Sequence, residues 1–417
     1  MYDLHTIHNA LENTPNSLSF LLPNEKEKQL FLQSINDYME ATQQHDLFEK
    51  IVTYRYQEVL KELPSNQTKG NLYTTLTGPI GQTIMGIREM PDFPTVFLTI
   101  EKTAINYFGD MLNCWAELRA FQINEAARIH IEQLGDSEAH VYEEIAINEN
   151  YKSEVVKDIK SDSRLFLTTF SNVPMSLSSA NILINLETFV KQQHWYEMLY
   201  YLDISGSGEH FILYQEAPKN TPVLLASALI QRWHQKENWL TFDPFFRTEN
   251  WTLSLDSEKI LALERSNVFK NMIRSKVDTS TIEAFSYSLL DTISQKDAVC
   301  EIIRMAISGP REKLNHILFS TLKNLTISLA EIGLEVAYTI VEQPSILSFY
   351  QSVNEDTETT LPYVSLCYQR VEGTGLTTFQ GIVFTTPMGE AFKQCSFREY
   401  NKRIISMRRL ARAAANV

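Results

Sequence analysis

The sequence predicts an α/β (α+β) fold class, in which a mixed sheet with flanking helices follows a mostly helical N-terminal region. Before about residue 155, apolar residues recur at helical spacing among charged ones. From about residue 160, short apolar segments bounded by turn residues alternate with helical stretches. The segment 309–353 combines a long helix, a glycine stop, a buried strand and a second helix.

The N-terminal region, residues 1–155, is predicted to be mostly helical. Residues 27–63, for example, carry apolar side chains at helical spacing among charges. The glycines in TGPIGQT, residues 77–83, indicate a turn, because the lysine and the preceding strand of a phosphate-binding P-loop are missing. The polar run 152–164 marks the boundary to a second domain, which we place at residues 156–417.

The second domain alternates predicted strands and helices. Seven segments have the apolar, β-branched and aromatic composition that predicts strands: 163–171, 196–205, 209–216, 259–269, 334–342, 363–371 and 377–386. Helices are predicted at 178–194, 221–235 and about 279–332. The turn SGSGEH separates two of the strand candidates, as in a hairpin.

The segment 309–353 has signals at each of its boundaries. Gly333 ends the predicted helix, because glycine takes the left-handed C-cap conformation without a Cβ penalty. Residues 334–343 are apolar and β-branched, as a strand covered on both faces should be. Pro344 ends that strand and suits the first turn of the next helix. The long helix carries one apolar stripe, formed by Leu314, Ile317, Leu318, Leu322, Leu325, Leu329 and Ile332.

Composition excludes several classes of protein. The 417 residues are 44% hydrophobic, and a net charge of -14 argues against general nucleic-acid binding. No apolar run approaches the ~18 residues that span a bilayer, and residues 1–16 lack a signal-peptide core. We therefore expect a cytoplasmic protein without a membrane span. No metal site is predicted, because no CxxC pair or zinc spacing relates Cys114, Cys300, Cys367 and Cys395.

The chain turns basic after residue 390 although it is acidic overall. From residue 390 onward, its acidic residues are Glu390 and Glu399. Such an end could dock an acidic carrier protein or a phosphate-bearing cofactor, and a solvated helix face is the alternative. The cations are Lys393, Arg398, Lys402, Arg403, Arg408, Arg409 and Arg412.

The order of elements in the second half resembles the acyltransferase fold of the GNAT superfamily, in which the pantetheine arm of a thioester inserts where two central strands separate. By this resemblance, residues 259–269 are the fourth strand and residues 335–343 the fifth. The superfamily's glycine-rich pyrophosphate loop is absent, with only Gly309 nearby. A branch without that loop comprises the acyl-homoserine-lactone synthases. The length and the helical N-terminal region resemble their LuxM/AinS/VanM group.

This resemblance implies an enzyme that joins the amine of S-adenosylmethionine to a fatty acyl group from acyl carrier protein or acyl-CoA. Closure of a lactone then produces a quorum-sensing autoinducer. No cofactor beyond these substrates is implied. Two alternatives stay open, a different GNAT-type N-acyltransferase and a non-catalytic binding module.

The segment 239–269 holds the polar residue types that this chemistry needs. Glu264 is expected to take the amine proton, directly or through water. Asp243 is expected to hold the amine or the sulfonium, and Arg247 or Arg265 the substrate carboxylate. Glu264, Arg265 and Ser266 resemble a Glu, Ser, Arg cluster of these synthases, with serine and arginine in the other order. The alternative for Glu264 and Arg265 is a surface ion pair.

Two further groups complete the predicted site. Trp239, Phe245 and Trp251 are expected to wall the substrate site, although such aromatic residues are also common in a core. At the start of the long helix, phosphopantetheine is expected to meet three cations, whose alternative role is that of solvated helix charges: Arg304, Arg311 and Lys313.

Overall fold

The computed structural model describes residues 25–64, 70–89, 94–133, 147–216, 221–248, 250–269, 276–342, 344–354, 361–370 and 377–415. The prediction about a signal peptide falls on residues outside these ranges. The side chains of Phe245, Arg408 and Arg412 also lie outside the described part. The predicted fold class is confirmed, because a mixed sheet with flanking helices follows a mostly helical region.

The first compact unit is helical and comprises the described residues up to 133 with 173–175 and 182–204. Its helices bury apolar stripes at the predicted spacing. Between them, Arg55 and Glu101 form a fully buried ion pair, with Nη2 and Oε2 2.7 Å apart. The helices are α1 (Glu25–Thr42), α2 (Leu47–Glu62), α3 (Leu72–Thr77), α4 (Pro79–Ile84), α5 (Thr95–Phe108) and α6 (Met111–Gln133).

The second compact unit holds most of a ten-stranded sheet, of which residues 173–175 in β3 fall in the first unit. Its main path runs β1-β4-β5-β7-β8-β10-β9-β6, and β2 runs parallel to β5 off this path. The strands are β1 (Lys152–Val156), β2 (Leu165–Thr168), β3 (Ser171–Ser176), β4 (His210–Gln215), β5 (Val223–Arg232), β6 (Thr252–Leu253), β7 (Val299–Ile307), β8 (Val336–Val341), β9 (Tyr363–Arg370) and β10 (Thr377–Phe384).

The two units are not divided by a single cut after residue 155. Strand β1 belongs to the second unit, because it pairs antiparallel with β4 from Lys152 to Val156. The helical unit also takes in residues 182–204, which follow the first strands of the sheet in the chain.

Helices cover both faces of the sheet. They are α7 (Leu177–Asn185), α8 (Ser257–Arg265), α9 (Ile282–Asp291), α10 (Leu314–Glu331), α11 (Pro344–Asn354), α12 (Thr385–Gln394) and α13 (Phe397–Ala415). Alternate residues of β7 point to opposite faces. Cys300 and Ile302 enter a core that includes α10, α11 and α12, whereas Val299 enters a core that includes α8 and α9.

The predicted unit 309–353 is confirmed. Helix α10 ends before Gly333, which has φ 79° and donates its N–H to the carbonyl of Ala330 at 3.1 Å. Strand β8 follows and is mostly buried, and α11 begins at Pro344. Local cap residues decide these boundaries, which is why the sequence pattern predicts them well.

Two predicted helical stretches are wrong, because they contain strands. The stretch 221–235 contains β5 and the start of a 3₁₀ turn, and the region 279–332 contains β7 between α9 and α10. Strand β5 is buried on both faces from Val223 to Gln231. A short apolar run of this kind has no period that distinguishes a buried strand from a buried helix.

Two predicted strands are also wrong. Residues 196–205 lie in a 3₁₀ segment, Tyr196–Gly206. Residues 259–269, the supposed fourth strand, lie in α8 and a following 3₁₀ turn. The side chain of Asp256 caps α8 by accepting a hydrogen bond from the N–H of Lys259 at 2.9 Å, which favours a helix start here.

Candidate active site

The two central parallel strands, β7 and β8, separate partway along their length. Their ladder runs from Val299 opposite Val336 to Ile302 opposite Thr339 and ends there. Beyond that point β7 continues beside β5 to Ile307, and β8 continues beside β10. A gap therefore opens between the carboxyl ends of two parallel strands, where ligands commonly bind in α/β sheets.

A β-bulge in β7 lies just past the point of separation. Ser227 faces Ala306 and Leu229 faces Ile303, so Arg304 and Met305 oppose a single residue of β5. Arg304 takes a left-handed conformation with φ 54°. A non-glycine residue in this region is uncommon, and bulges often redirect a side chain beside an active site.

Glu301 is a fully buried carboxylate on the paired part of β7. Its oxygens accept hydrogen bonds from the N–H of Leu240 at 2.7 Å, the N–H of Thr241 at 2.7 Å and the Thr241 hydroxyl at 2.5 Å. When the side-chain amide of Gln231 is flipped so that its nitrogen faces acceptors, this nitrogen donates a further hydrogen bond to Oε2 of Glu301 at 3.1 Å. Burial raises the pKa of Glu301 to about 7, against the lowering effect of the Thr241 and Leu240 donors. Its carboxyl group can therefore exchange a proton near neutral pH.

Aromatic side chains surround this carboxylate on the same face of the sheet. Tyr338 of β8 is the register partner of Glu301. Trp239 packs on Tyr338 with ring centroids 5.6 Å apart and stacks on Phe242 at 5.8 Å. The hydroxyl of Tyr338 is buried and has no hydrogen-bond partner within the described residues. A buried aromatic wall therefore lies beside the one carboxylate of β7.

Arg247 lies next to this aromatic wall, a few residues after Leu240 and Thr241, whose N–H groups bind Glu301. Its guanidinium lies 4.5 Å from the Phe242 ring and 4.7 Å from the Tyr287 ring, and its Nη1 donates to the Tyr287 hydroxyl at 2.6 Å. Its Nε is buried and makes no hydrogen bond to any described residue. Trp251 is also buried, against Phe246.

Arg304 belongs to a polar network on β5, β7, α7 and the 3₁₀ segment Tyr196–Gly206. Its Nη1 donates to the Ser205 hydroxyl at 2.7 Å. Asn181 links the Ser205 carbonyl to the Ser227 hydroxyl. Burial lowers the pKa of Arg304 to about 10, which leaves the guanidinium charged at neutral pH. Burial also lowers the pKa of the neighbouring His210 to about 4, so that its imidazole stays neutral.

The structure brings some of the predicted residues together. Trp239 and Arg247 share the aromatic wall beside Glu301 through Phe242, and Asp243 lies on the same segment with its side chain exposed.

Other predicted residues lie elsewhere in the second unit. Glu264 is half-buried and Arg265 is exposed on α8, which packs against β9, so neither is on a central strand. Before α10, Arg311 is exposed, whereas Lys313 pairs with Glu149 at 3.1 Å. The roles of these residues stay predictions.

Sequence reasoning missed Glu301. The signal was present in VCEIIRMAI, residues 299–307, where two charges interrupt an otherwise apolar run. A charge inside a buried strand must be paired or functional, because burial of an isolated charge is costly. The sequence pattern instead predicts a helix over about 279–332, in which a single glutamate carries no such signal.

The fold and this site define an acyltransferase-like domain, with a gap between central strands and an ionisable carboxylate beside it. The acyl homoserine lactone synthase family model matches residues 25–413. The chain is 30% identical over 385 residues to the acyl-homoserine-lactone synthase OpaM of Vibrio parahaemolyticus, covering 92% of this chain and 93% of OpaM. It is 26% identical to LuxM of Vibrio atlanticus, covering 92% and 94%.

The chain therefore belongs to the acyl-homoserine-lactone synthase family and is an acyltransferase. A solved structure of TofI in a ternary complex with an inhibitor and MTA covers 45% of this chain and 71% of TofI, with 8% identity and a TM-score of 0.25. Among the described helices, none has the length and apolarity required to span a bilayer.

Proposed function

We propose that the chain transfers a fatty acyl group from acyl carrier protein or acyl-CoA to the amine of S-adenosylmethionine and then closes the homoserine lactone. The observation that carries this proposal is Glu301, a buried carboxylate with a pKa of about 7 beside the gap between β7 and β8. Membership of the synthase family supports the product class.

The first step requires loss of a proton from the substrate ammonium, because only the free amine attacks a thioester. Its nitrogen then bonds to the carbonyl carbon, and the carbon–sulfur bond of the thioester breaks to release the thiol. Glu301 is our candidate for the group that takes the proton. Glu264, on α8, is the candidate that the sequence indicates, and it remains a competing assignment.

Acyl transfer also needs stabilisation of an oxyanion. Strand β7 leaves its ladder with β8 after Ile302, and N–H groups at the edge of such a gap are suitable donors. The acyl thioester would therefore lie along this gap. We propose that its phosphopantetheine meets Arg304, Arg311 or Lys313, of which Arg304 lies on the strand itself.

The second substrate carries a carboxylate and a sulfonium. Arg247 offers a buried Nε without a described partner, which suits it to bind the carboxylate, and Arg265 is the alternative. The sulfonium needs aromatic faces and an acidic group, for which we propose Trp239, Trp251 and Asp243. Phe245 lies between these residues in the chain.

Lactone closure is intramolecular. The carboxylate oxygen of the acylated substrate attacks the methylene carbon of the same amino-acid chain that is bonded to the sulfonium sulfur. Methylthioadenosine then leaves with the electron pair of that carbon–sulfur bond. No cofactor besides the two substrates is needed for this sequence of bond changes.

The basic helix α13 is our candidate surface for an acyl carrier protein. The side chains of Arg398, Lys402 and Arg409 are exposed. Carrier proteins of this kind present acidic surfaces, and complementary charge raises the rate of encounter. Because both substrates are intracellular metabolites, we propose that the protein acts in the cytoplasm.

The test is product analysis with the purified protein. S-adenosylmethionine is mixed with acyl carrier protein or CoA thioesters of several chain lengths, and lactones are measured by mass spectrometry. Lactone formation that depends on both substrates supports the proposal. An acylated amine formed without S-adenosylmethionine would indicate a different N-acyltransferase, and no product with any donor would refute the proposal.

A further inference from the structure

The helical unit contains a cavity that the catalytic proposal does not use. Its volume is about 450 Å³, within the usual range of small-molecule sites. The lining lies entirely on the first unit and is mostly apolar, with main contributions from Leu76, Met85, Ile87, Ile105, Met111 and Leu112.

One wall of this cavity is held in place by the buried ion pair. Arg55 donates through Nη1 to the carbonyl of Arg88 at 2.9 Å, and the carboxylate of Glu101 hydrogen-bonds the backbone of Gly86. Gly86 has φ 67°, and a Cβ atom there would lie 2.9 Å from Cδ1 of Ile105. The turn after α4 therefore has a fixed, closely packed conformation, which makes the cavity a preformed one.

The two charged groups in the lining differ in availability. The carboxylate of Asp110 accepts from the N–H and from Nδ2 of Asn113, both at 2.7 Å, and so caps α6. The side chain of Lys102 is exposed, and within the described part of the chain its ammonium makes no hydrogen bond or salt bridge. A cation thus remains available at the edge of an apolar cavity.

We propose that this cavity binds a free medium-chain fatty acid, with the alkyl chain against the apolar lining and the carboxylate at Lys102. Apolar contact would supply most of the affinity, and the ammonium would select an anionic head group. This site is independent of the acyl-transfer proposal, because all of its lining residues belong to the helical unit.

The experiment is calorimetric titration of the full chain with hexanoate, octanoate and decanoate. We expect each added methylene to tighten Kd by about fourfold while the chain still fits. Lys102→Met should weaken octanoate binding about tenfold and leave 1-octanol binding unchanged. Lys26→Met removes an exposed lysine of α1 that is not in the lining and should change neither value.

A cavity-filling variant tests the location. Ile105→Trp should abolish binding of octanoate and octanol alike, with folding checked by thermal unfolding. No octanoate binding by the wild-type chain, or unchanged binding by Lys102→Met, would overturn the proposal. Tighter binding of octylamine than of octanoate would also overturn it, since Asp110 would then be the selecting group. If Ile105→Trp fails to fold, the contrast between Lys102→Met and Lys26→Met decides the question.

Discussion

Replacement of Glu301 by glutamine removes the proton acceptor while it keeps the shape of the side chain. If Glu301 takes the amine proton, kcat/KM should fall about 100-fold or more, the usual contribution of a positioned base. In the wild-type enzyme, activity should rise with pH through about 7, because only the ionised carboxylate can accept the proton. This rise should be absent from the pH profile of Glu301→Gln.

The same substitution has a pH-dependent effect on stability. The folded pKa of Glu301 is about 7 and its ordinary value is 4.5, so its contribution to stability is present below pH 4.5 and is lost as pH rises through 7. This loss amounts to about 3 kcal/mol. Glutamine does not ionise, so the variant does not suffer this loss of stability. Its side chain, however, leaves an N–H of Leu240 or Thr241 without an acceptor, at a cost of about 1–3 kcal/mol. The variant should therefore be less stable than wild type at pH 5 and similar to it at pH 8, as measured by urea unfolding.

Two variants separate a catalytic role of Glu301 from a structural one. Thr241→Val removes the hydroxyl donor, so it should raise the pKa of Glu301 and move the alkaline rise in activity to higher pH. Glu264→Gln is the matched control and should retain the wild-type profile. The assignment to Glu301 fails if Glu301→Gln retains more than a tenth of the activity at pH 8, or if Glu264→Gln shows the 100-fold loss instead.

Three further substitutions test the packing and the substrate contacts. Gly381→Ala places a Cβ 2.5 Å from the Tyr363 ring and should lower the free energy of unfolding by about 1–3 kcal/mol, measured with urea. Glu101→Gln leaves Arg55 buried without its counterion and should cost about 3–5 kcal/mol in the same assay, and a loss under 1 kcal/mol would contradict the pairing. Arg247→Lys should raise the KM for S-adenosylmethionine about tenfold at nearly constant kcat, because lysine cannot bind a carboxylate through two parallel N–H groups; an unchanged KM would exclude Arg247 from that contact.

The sequence predicts elements well where local chemistry decides their ends. Gly333 and Pro344 mark the limits of α10 and α11, because their backbone preferences act without help from the rest of the fold. The runs of β5 and β7 predict helices instead, because a short, largely apolar run has no period that distinguishes a buried strand from a buried helix. Their pairing in the sheet shows that they are central strands. The paired strands lie far apart in the chain, so no local sequence pattern reveals this pairing.

The sequence predicts the part of the candidate site that lies on one continuous segment, but not the residue that lies far from it in the chain. Residue types suggested that 239–247 forms a wall of the site, and the structure places Trp239 and Arg247 beside Glu301. Glu301 itself lies some 60 positions later in the chain and is joined to this segment by the hydrogen bonds from Leu240 and Thr241. A nonlocal hydrogen bond of this kind has no local signature in sequence.

The pKa of Glu301 results from two opposed effects, and both are needed for a base that works at neutral pH. Burial between β7 and the aromatic wall disfavours the charged carboxylate and raises the pKa. The donors at Leu240 and Thr241 favour the charged form and limit that rise. Without the donors, the carboxyl would stay protonated and could not accept a proton from the amine. Without burial, it would be as weak a base as a carboxylate in water. Because the same donors hold the segment that carries Trp239 and Arg247, the position of the aromatic wall and the basicity of Glu301 depend on one set of contacts.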